Sequence, residues 1–259
     1  MKPSSGTVIL RKARIALTPS SSLLWSQLEN GSVVAGYNRE GYGGRGVYLH
    51  RDWIEPELAA LQHFLKPGFV FMDIGANVGV YTLKAAKEVG DSGVVIAAEA
   101  FIETACRLQK NIRANRYRNV RVRNVCVGGE TKPALLYLNH GKPNSYGLLQ
   151  SNQAESVSVM SVSLDDLCRW EGLQRLDYLK IDAEGAESAI LQGGAAVLAR
   201  FRPIVQVETT KNETKLPEGY RRFHAQGSPN DVFIPKEAEG AISQAIALQW
   251  NEMNHRSPE

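Results

Sequence analysis

The chain has 259 residues, 43% of them hydrophobic and 22% charged, enough for one α/β domain with additions and too few for a large multidomain assembly. A net charge of +3 does not by itself imply a nucleic-acid or membrane partner, and three scattered cysteines (Cys106, Cys126, Cys168) form neither a disulfide framework nor a metal-ligand spacing. No apolar run reaches membrane-spanning length and the basic start has no signal-peptide core, so the sequence predicts a protein of the reducing cytoplasm without membrane insertion.

Residues 1–54 read as an N-terminal extension, partly flexible. Residues 1–20 are rich in Ser, Pro and Lys, and residues 23–28 follow a serine-rich cap as a short helix. A glycine-dense stretch at 41–46 is expected as a turn between short strands at 33–35 and 47–49. The same glycines allow a lid over a ligand, walled by Tyr37, Tyr42 and Tyr48. Residues 55–259 form the main domain. Leu58, Leu61, Phe64 and Leu65 make a helical face leading into a buried strand at 69–74. Crossover helices follow at 78–89 and 102–114, with strands at 94–99 and 120–125. The last of these alternates strictly, its arginines facing solvent or a neighbour. Residues 131–163 break the βα rhythm and read as an inserted hairpin, its polar stretch 141–156 expected over the cleft. A parallel strand at 176–181, its helix at 184–198 and a buried strand at 203–208 come next. The pair 220–224 and 232–234 closes the sheet, and an alanine-rich helix at 236–250 ends the pattern.

The densest signal lies at the first core strand. Asp73-Ile74-Gly75-Ala76-Asn77-Val78-Gly79-Val80-Tyr81-Thr82 reads as strand, tight turn and helix start. The glycines let the backbone turn sharply, and the helix N-terminus points its amides at a ligand. A dinucleotide fingerprint would read Gly-x-Gly-x-x-Gly. Here an acid precedes the first glycine, and it would repel a pyrophosphate but suit a ligand bearing an amino group, such as S-adenosylmethionine (AdoMet). Glu99 ends the next strand about 20 residues on, the spacing at which an acid meets ribose hydroxyls.

These residues, with Leu164-Asp165-Asp166-Leu167 and above all Leu179-Lys180-Ile181-Asp182-Ala183-Glu184-Gly185-Ala186-Glu187, resemble the FkbM family of class I AdoMet-dependent methyltransferases. The resemblance runs from about Glu55 to Pro235. It implies a Rossmann-like, mostly parallel seven-stranded sheet with helices on both faces and an antiparallel closing strand, AdoMet as methyl donor, and O-methylation of small molecules, sugars or polyketide-like products. Glu99-Ala100 stands where the family has Glu-Pro, and the stretch after Glu208 is short.

Ligands of open α/β sheets sit at the carboxyl ends of strands, which gathers Asp73, Glu99, Asp182 and Glu208. The methionine part of the donor is expected at Asp73, Gly75, Ala76, Asn77 and Gly79 with Tyr81 and Thr82 beside it. The ribose is expected at Glu99 and Ala100, the adenine at Asn124 and Val125, and the reacting end at Asp182. Asp182 is the expected base, with Lys180, Glu184, His224 and Glu208 as further catalytic candidates. A buried lysine whose proton affinity is lowered could serve as base in its own right. Helix capping explains Asp73, Asp182 and Glu184 equally simply. No histidine shows metal spacing, so a metal is unsupported. The expected partner is a small-molecule or glycan acceptor, with no nucleic acid and a homodimer left open. The rival readings are an RNA methyltransferase using the Arg113–Arg123 basic run, a nicotinamide dehydrogenase, and a non-catalytic AdoMet-binding protein.

Overall fold

The computed structural model describes residues 2–138, 146–147, 155–208 and 216–253. The start carries regular secondary structure. Helix α1 spans Ser5–Leu17, capped by the Ser4 hydroxyl, which accepts from the Thr7 amide. Strands β1 (Leu23–Gln27) and β2 (Val33–Tyr37) pair antiparallel. The expected helix at 23–28 is therefore a strand: Leu24 and Ser26 point inward while Trp25 and Gln27 point out, a period of two that a partner strand exploits. After β2 the chain makes one π-helical turn at Tyr42–Gly46 and runs into α2 (Val47–His50), where a strand was expected. The glycines fold this segment back onto β2. A Cβ on Gly36 would lie 1.7 Å from the Gly43 carbonyl oxygen, an approach open only to glycine.

Next come α3 (Pro56–Ala60), β3 (Val70–Ile74), α4 (Val80–Val89), β4 (Val94–Ala98), α5 (Ile102–Ala114), β5 (Val120–Arg123) and β6 (Cys126–Gly128). The extension is fastened to this core by buried polar groups. Lys84 of α4 donates to Asp52 at 2.7 Å, both side chains almost fully buried, and Asp52 also accepts the Glu29 amide. Asn111 of α5 and Asn115 at its C-cap bond the backbone of Ala35 and Val33. Breaking a buried ion pair of this kind costs about 3–5 kcal/mol.

The inserted hairpin is present. Strands β7 (Lys132–Leu138) and β9 (Glu155–Ser163) pair antiparallel, with β8 (Tyr146–Gly147) and β6 at the margins. Most of the expected overhang at 141–156 lies outside the described residues. The remaining elements are α6 (Leu164–Trp170), β10 (Tyr178–Ile181), α7 (Glu187–Gln192), α8 (Ala195–Phe201), β11 (Ile204–Glu208), β12 (Tyr220–His224), β13 (Asn230–Pro235), α9 (Glu239–Ala247) and β14 (Asn251–Met253). The single helix expected at 184–198 is split at Gly193 and Gly194, which pack against the Gly128–Gly129 backbone and Leu164.

The main sheet has the order β14-β12-β13-β11-β10-β3-β4-β5. From β11 to β5 all pairs are parallel, and β13 closes antiparallel on β11. Among the described residues it has eight strands where seven were expected, the short exposed β14 adding to β12. One face packs Phe71, Val95, Ala97 and Tyr178 beneath α4, α5 and α9. The other packs Met72, Ile74, Ile96, Leu179 and Val205 beneath α6, α7 and α8. This three-layer α/β arrangement leaves the carboxyl ends of the parallel strands as one shared edge.

Candidate active site

Strand periodicity decides which side chains meet at that edge. Asp73, Lys180 and Gln206 are cross-strand neighbours in one row. Asp182, just past β10, and Glu208, the last residue of β11, follow two residues on from Lys180 and Gln206 and so fall on the same side, since side chains alternate with period two. Asp73 is sealed at 1% exposure. Its Oδ2 accepts from the Thr82 hydroxyl at 2.6 Å, while Oδ1 finds no hydrogen-bond donor among the described residues. Burial pushes its proton affinity up, against the pull of Lys180 and Thr82.

Lys180 Nζ donates to Asp182 Oδ2 at 3.2 Å, stands 3.7 Å from Asp73 Oδ1 and lies 4.9 Å from the Tyr81 ring centre. Burial alone would favour the neutral amine, but Asp182, Asp73 and Glu55 together outweigh it and raise the lysine above its ordinary value. The lowered lysine that a basic role requires is thus absent; Lys180 is the cation of an acidic cluster.

The turn after β3 brings the expected donor residues together. Asn77 takes a left-handed φ of 51°, and its amide donates to Glu99 Oε2 at 2.8 Å. The other Glu99 oxygen accepts from the Phe101 amide. Burial pushes this carboxyl up to about 7, opposed by those two amides and reinforced by Asp73 and Asp182. Asn124 donates to the Glu99 and Ala100 carbonyls, fixing the end of β4, and Val125 packs behind in the core. Tyr81 and Thr82 are buried beneath the turn and support it from inside. A Cβ on Gly75 would lie 1.8 Å from the Asp182 carbonyl oxygen, so the turn and the end of β10 meet backbone to backbone.

Glu184 is exposed, in a left-handed turn (φ 49°) ahead of α7 rather than in the helix's first turn. Buried Glu187 organises that turn by accepting from the Ala183 and Gly185 amides. Glu208 is half-buried, and burial followed by Asp182 and Glu184 lifts it to about 7. His224 does not join the group. It bonds Asp231 at 2.9 Å on the opposite sheet face, where Asp231 neighbours Val207 of the other core. The Arg113–Arg123 run is partly spoken for, with Arg121 and Arg123 both paired to buried Glu171.

Three residues that sequence reasoning did not assign, Glu55, Gln206 and Glu57, join the site with Tyr81 and the lid tyrosine Tyr42. Tyr81 donates to Glu55 at 2.6 Å and accepts from Gln206 at 2.7 Å, and Gln206 in turn accepts from Tyr178. Glu57 is 1% exposed, and neither of its carboxylate oxygens has a hydrogen-bond partner among the described residues. Burial lifts it to about 7 against the nearby Ser228 hydroxyl. Tyr42 stacks on Tyr81 with ring centres 6.3 Å apart, its buried hydroxyl unpaired among the described residues. Two of these left a trace: Glu57 shares the helical face of Leu61, and Gln206 is a polar residue inside an apolar strand. Of the three lid tyrosines only Tyr42 reaches the site; Tyr37 lies between Arg39 and Arg107, and Tyr48 lies under Arg11. Among the described residues no cluster of three His, Cys, Asp or Glu side chains is placed to hold a metal.

The profile of the Methyltransferase FkbM domain matches residues 73–228, more than half of the chain. Curated relatives include ribosomal RNA large subunit methyltransferase E of Chromohalobacter salexigens, 26% identical over 155 residues, 59% of this chain and 71% of the relative. The protein of that name from Acidithiobacillus ferrooxidans is 25% identical over 132 residues, and the match spans only 58% of its length and 51% of this chain. The crystal structure of methyltransferase FkbM from Methylobacillus flagellatus KT superposes with a TM-score of 0.46 at 15% identity, over 73% of this chain and 52% of that one. The matched segment runs from the acid of the glycine turn, through the lysine and acid of β10, to the start of the closing strands, and the chain belongs to the FkbM methyltransferase family.

Proposed function

We propose that this AdoMet-dependent methyltransferase transfers its methyl group to a hydroxyl of a neutral or cationic small molecule, sugar or natural-product intermediate. The residues fit the donor. Asp73 Oδ1, 3.7 Å from Lys180 Nζ, has no hydrogen-bond donor among the described residues, the chemistry an ammonium group seeks. Glu99 keeps a lone pair on each oxygen for ribose hydroxyls. When bound, AdoMet supplies a methyl group already activated as a sulfonium.

The observation that carries the acceptor class is the acidity of the site. Asp73, Asp182 and Glu55 act on one lysine, and burial, reinforced by the Asp182 charge, raises the proton affinity of Asp73, Glu55 and Glu208. A phosphate backbone would be repelled there, whereas hydroxyls and amines would be accepted. Glu208 takes the acceptor proton, because a carboxyl near 7 is matched to neutral pH. Asp182, bound to the Lys180 cation, orients the acceptor. RNA methylation is the second reading, favoured by the names of the relatives and by exposed Tyr37 between two guanidinium groups.

Labelled AdoMet offered with panels of hydroxylated small molecules and with ribosomal RNA separates the two. The expected result is label on a small molecule, lost by about 10²-fold in Glu208→Gln with donor binding kept, and less affected in Asp182→Asn. Label on RNA alone would overturn the acceptor class. Near-normal turnover in Glu208→Gln with collapse in Asp182→Asn would return the base to Asp182.

A further inference from the structure

Helix α1 is amphipathic the wrong way round for a surface helix. At 100° per residue, Ala16, Ile9, Ala13, Leu17 and Leu10 fall within an arc of about 120°. All five are exposed, Ile9 at 65%, Leu10 at 74% and Leu17 at 87%. The opposite side, with Thr7, Val8, Arg11 and Ile15, is the half-buried one. It docks on α2, where Arg11 donates to the Leu49 carbonyl at 2.8 Å and covers the Tyr48 ring. The apolar stripe therefore faces away from the body of the protein.

Cations border that stripe. Lys12 stands about 40° beyond Ala16, and Arg14 about 40° beyond Leu10. Residues 2–28 carry Lys2, Arg11, Lys12 and Arg14 and no acid. Lys2, Arg11 and Lys12 all act on His50, and Arg51 acts on Arg11, so the cations crowd one region of the surface. An exposed apolar stripe would favour any apolar partner; a stripe edged by cations that have no acid partner among the described residues favours one that pairs apolar depth with surface anions. A bilayer rich in anionic headgroups has both. A polyanion such as RNA would use the cations and leave Ile9, Leu10 and Leu17 in water.

We infer that α1 is an interfacial anchor, laying Ile9, Leu10, Ala13 and Leu17 into an anionic membrane surface while Lys12 and Arg14 meet the headgroups. The methyltransferase domain would then work beside a bilayer, without a spanning segment; among the described residues no helix is long and apolar enough to cross one.

The test is co-sedimentation of the full chain with vesicles of phosphatidylcholine alone and of an equal mixture with phosphatidylglycerol. Binding to the mixed vesicles only is expected. Leu10→Glu with Leu17→Glu, at two exposed positions, should cut it about tenfold. Lys12→Glu with Arg14→Glu should do the same, with the circular dichroism and donor binding of both variants unchanged. The inference is overturned if mixed vesicles capture nothing at low salt. It is equally overturned if the double leucine variant binds as well as the parent, or if that variant's only effect is to split a dimer. Binding to RNA that survives loss of the leucines while vesicle binding is absent would also overturn it, in favour of a polyanion.

Discussion

Buried Glu57 gives a stability measurement that needs no substrate. Its carboxyl ionises near 4.5 when unfolded and near 7 in the fold, because burial penalises the charge. Between those values the native state holds the proton that the unfolded chain has released, so stability falls as pH rises through the window and levels off above it. At about 1.4 kcal/mol per pH unit, the gap amounts to about 3 kcal/mol. Glu57→Gln keeps the shape and removes the ionisation. The variant should match the parent near pH 4.5 and exceed it by about 3 kcal/mol near pH 8, read from urea unfolding at several pH values. The difference between the two curves isolates this one carboxyl from every other acid in the chain. Parallel pH profiles, or a parent more stable than the variant at high pH, would refute the reasoning and mean that Glu57 has a partner for its charge.

Two further outcomes test the donor side. Glu99→Gln places an amide donor against the Asn77 or Phe101 N–H groups and should weaken AdoMet binding by at least about tenfold in calorimetry; unchanged affinity would remove Glu99 from the donor site. Gly43→Ala brings a methyl group to 2.7 Å from Asn77 Oδ1 and Val78, so it should raise the dissociation constant for S-adenosylhomocysteine roughly fivefold; no change would show that the glycine turn can shift without disturbing Asn77.

Much of the core was legible because it rests on local rules. The apolar runs of β3, β4, β10 and β11 and the glycine turn after Asp73 mark themselves, and period two then puts Asp73, Lys180 and Asp182 on one face. The N-terminal extension was not legible. Leu23–Gln27 becomes a strand because β2 offers a partner, and Val47 to Leu49 becomes a helix because the glycine turn folds back on β2; both causes lie elsewhere in the chain. His224 misled for a related reason. Its place at the end of a closing strand was visible, but its face depended on pairing with Asp231. The protonation of Lys180 was likewise unreadable, since burial argued one way and three acids from three elements decided the other.

The contact between Gly75 and the Asp182 carbonyl has a consequence for how kinetic data on this enzyme are read. The Asp182 amide also donates to the Ile74 carbonyl at 3.1 Å, so one backbone hydrogen bond and one close backbone approach hold Asp182 against the turn. Any substitution that lifts the glycine turn drags the acceptor-side acid with it. Changes at Gly75 will therefore lower donor affinity and turnover together, and a loss of rate there carries no information about which residue takes the proton. On the proposed roles, dissection of binding from chemistry is done at Glu99 and Glu208, which stand at the ends of separate strands.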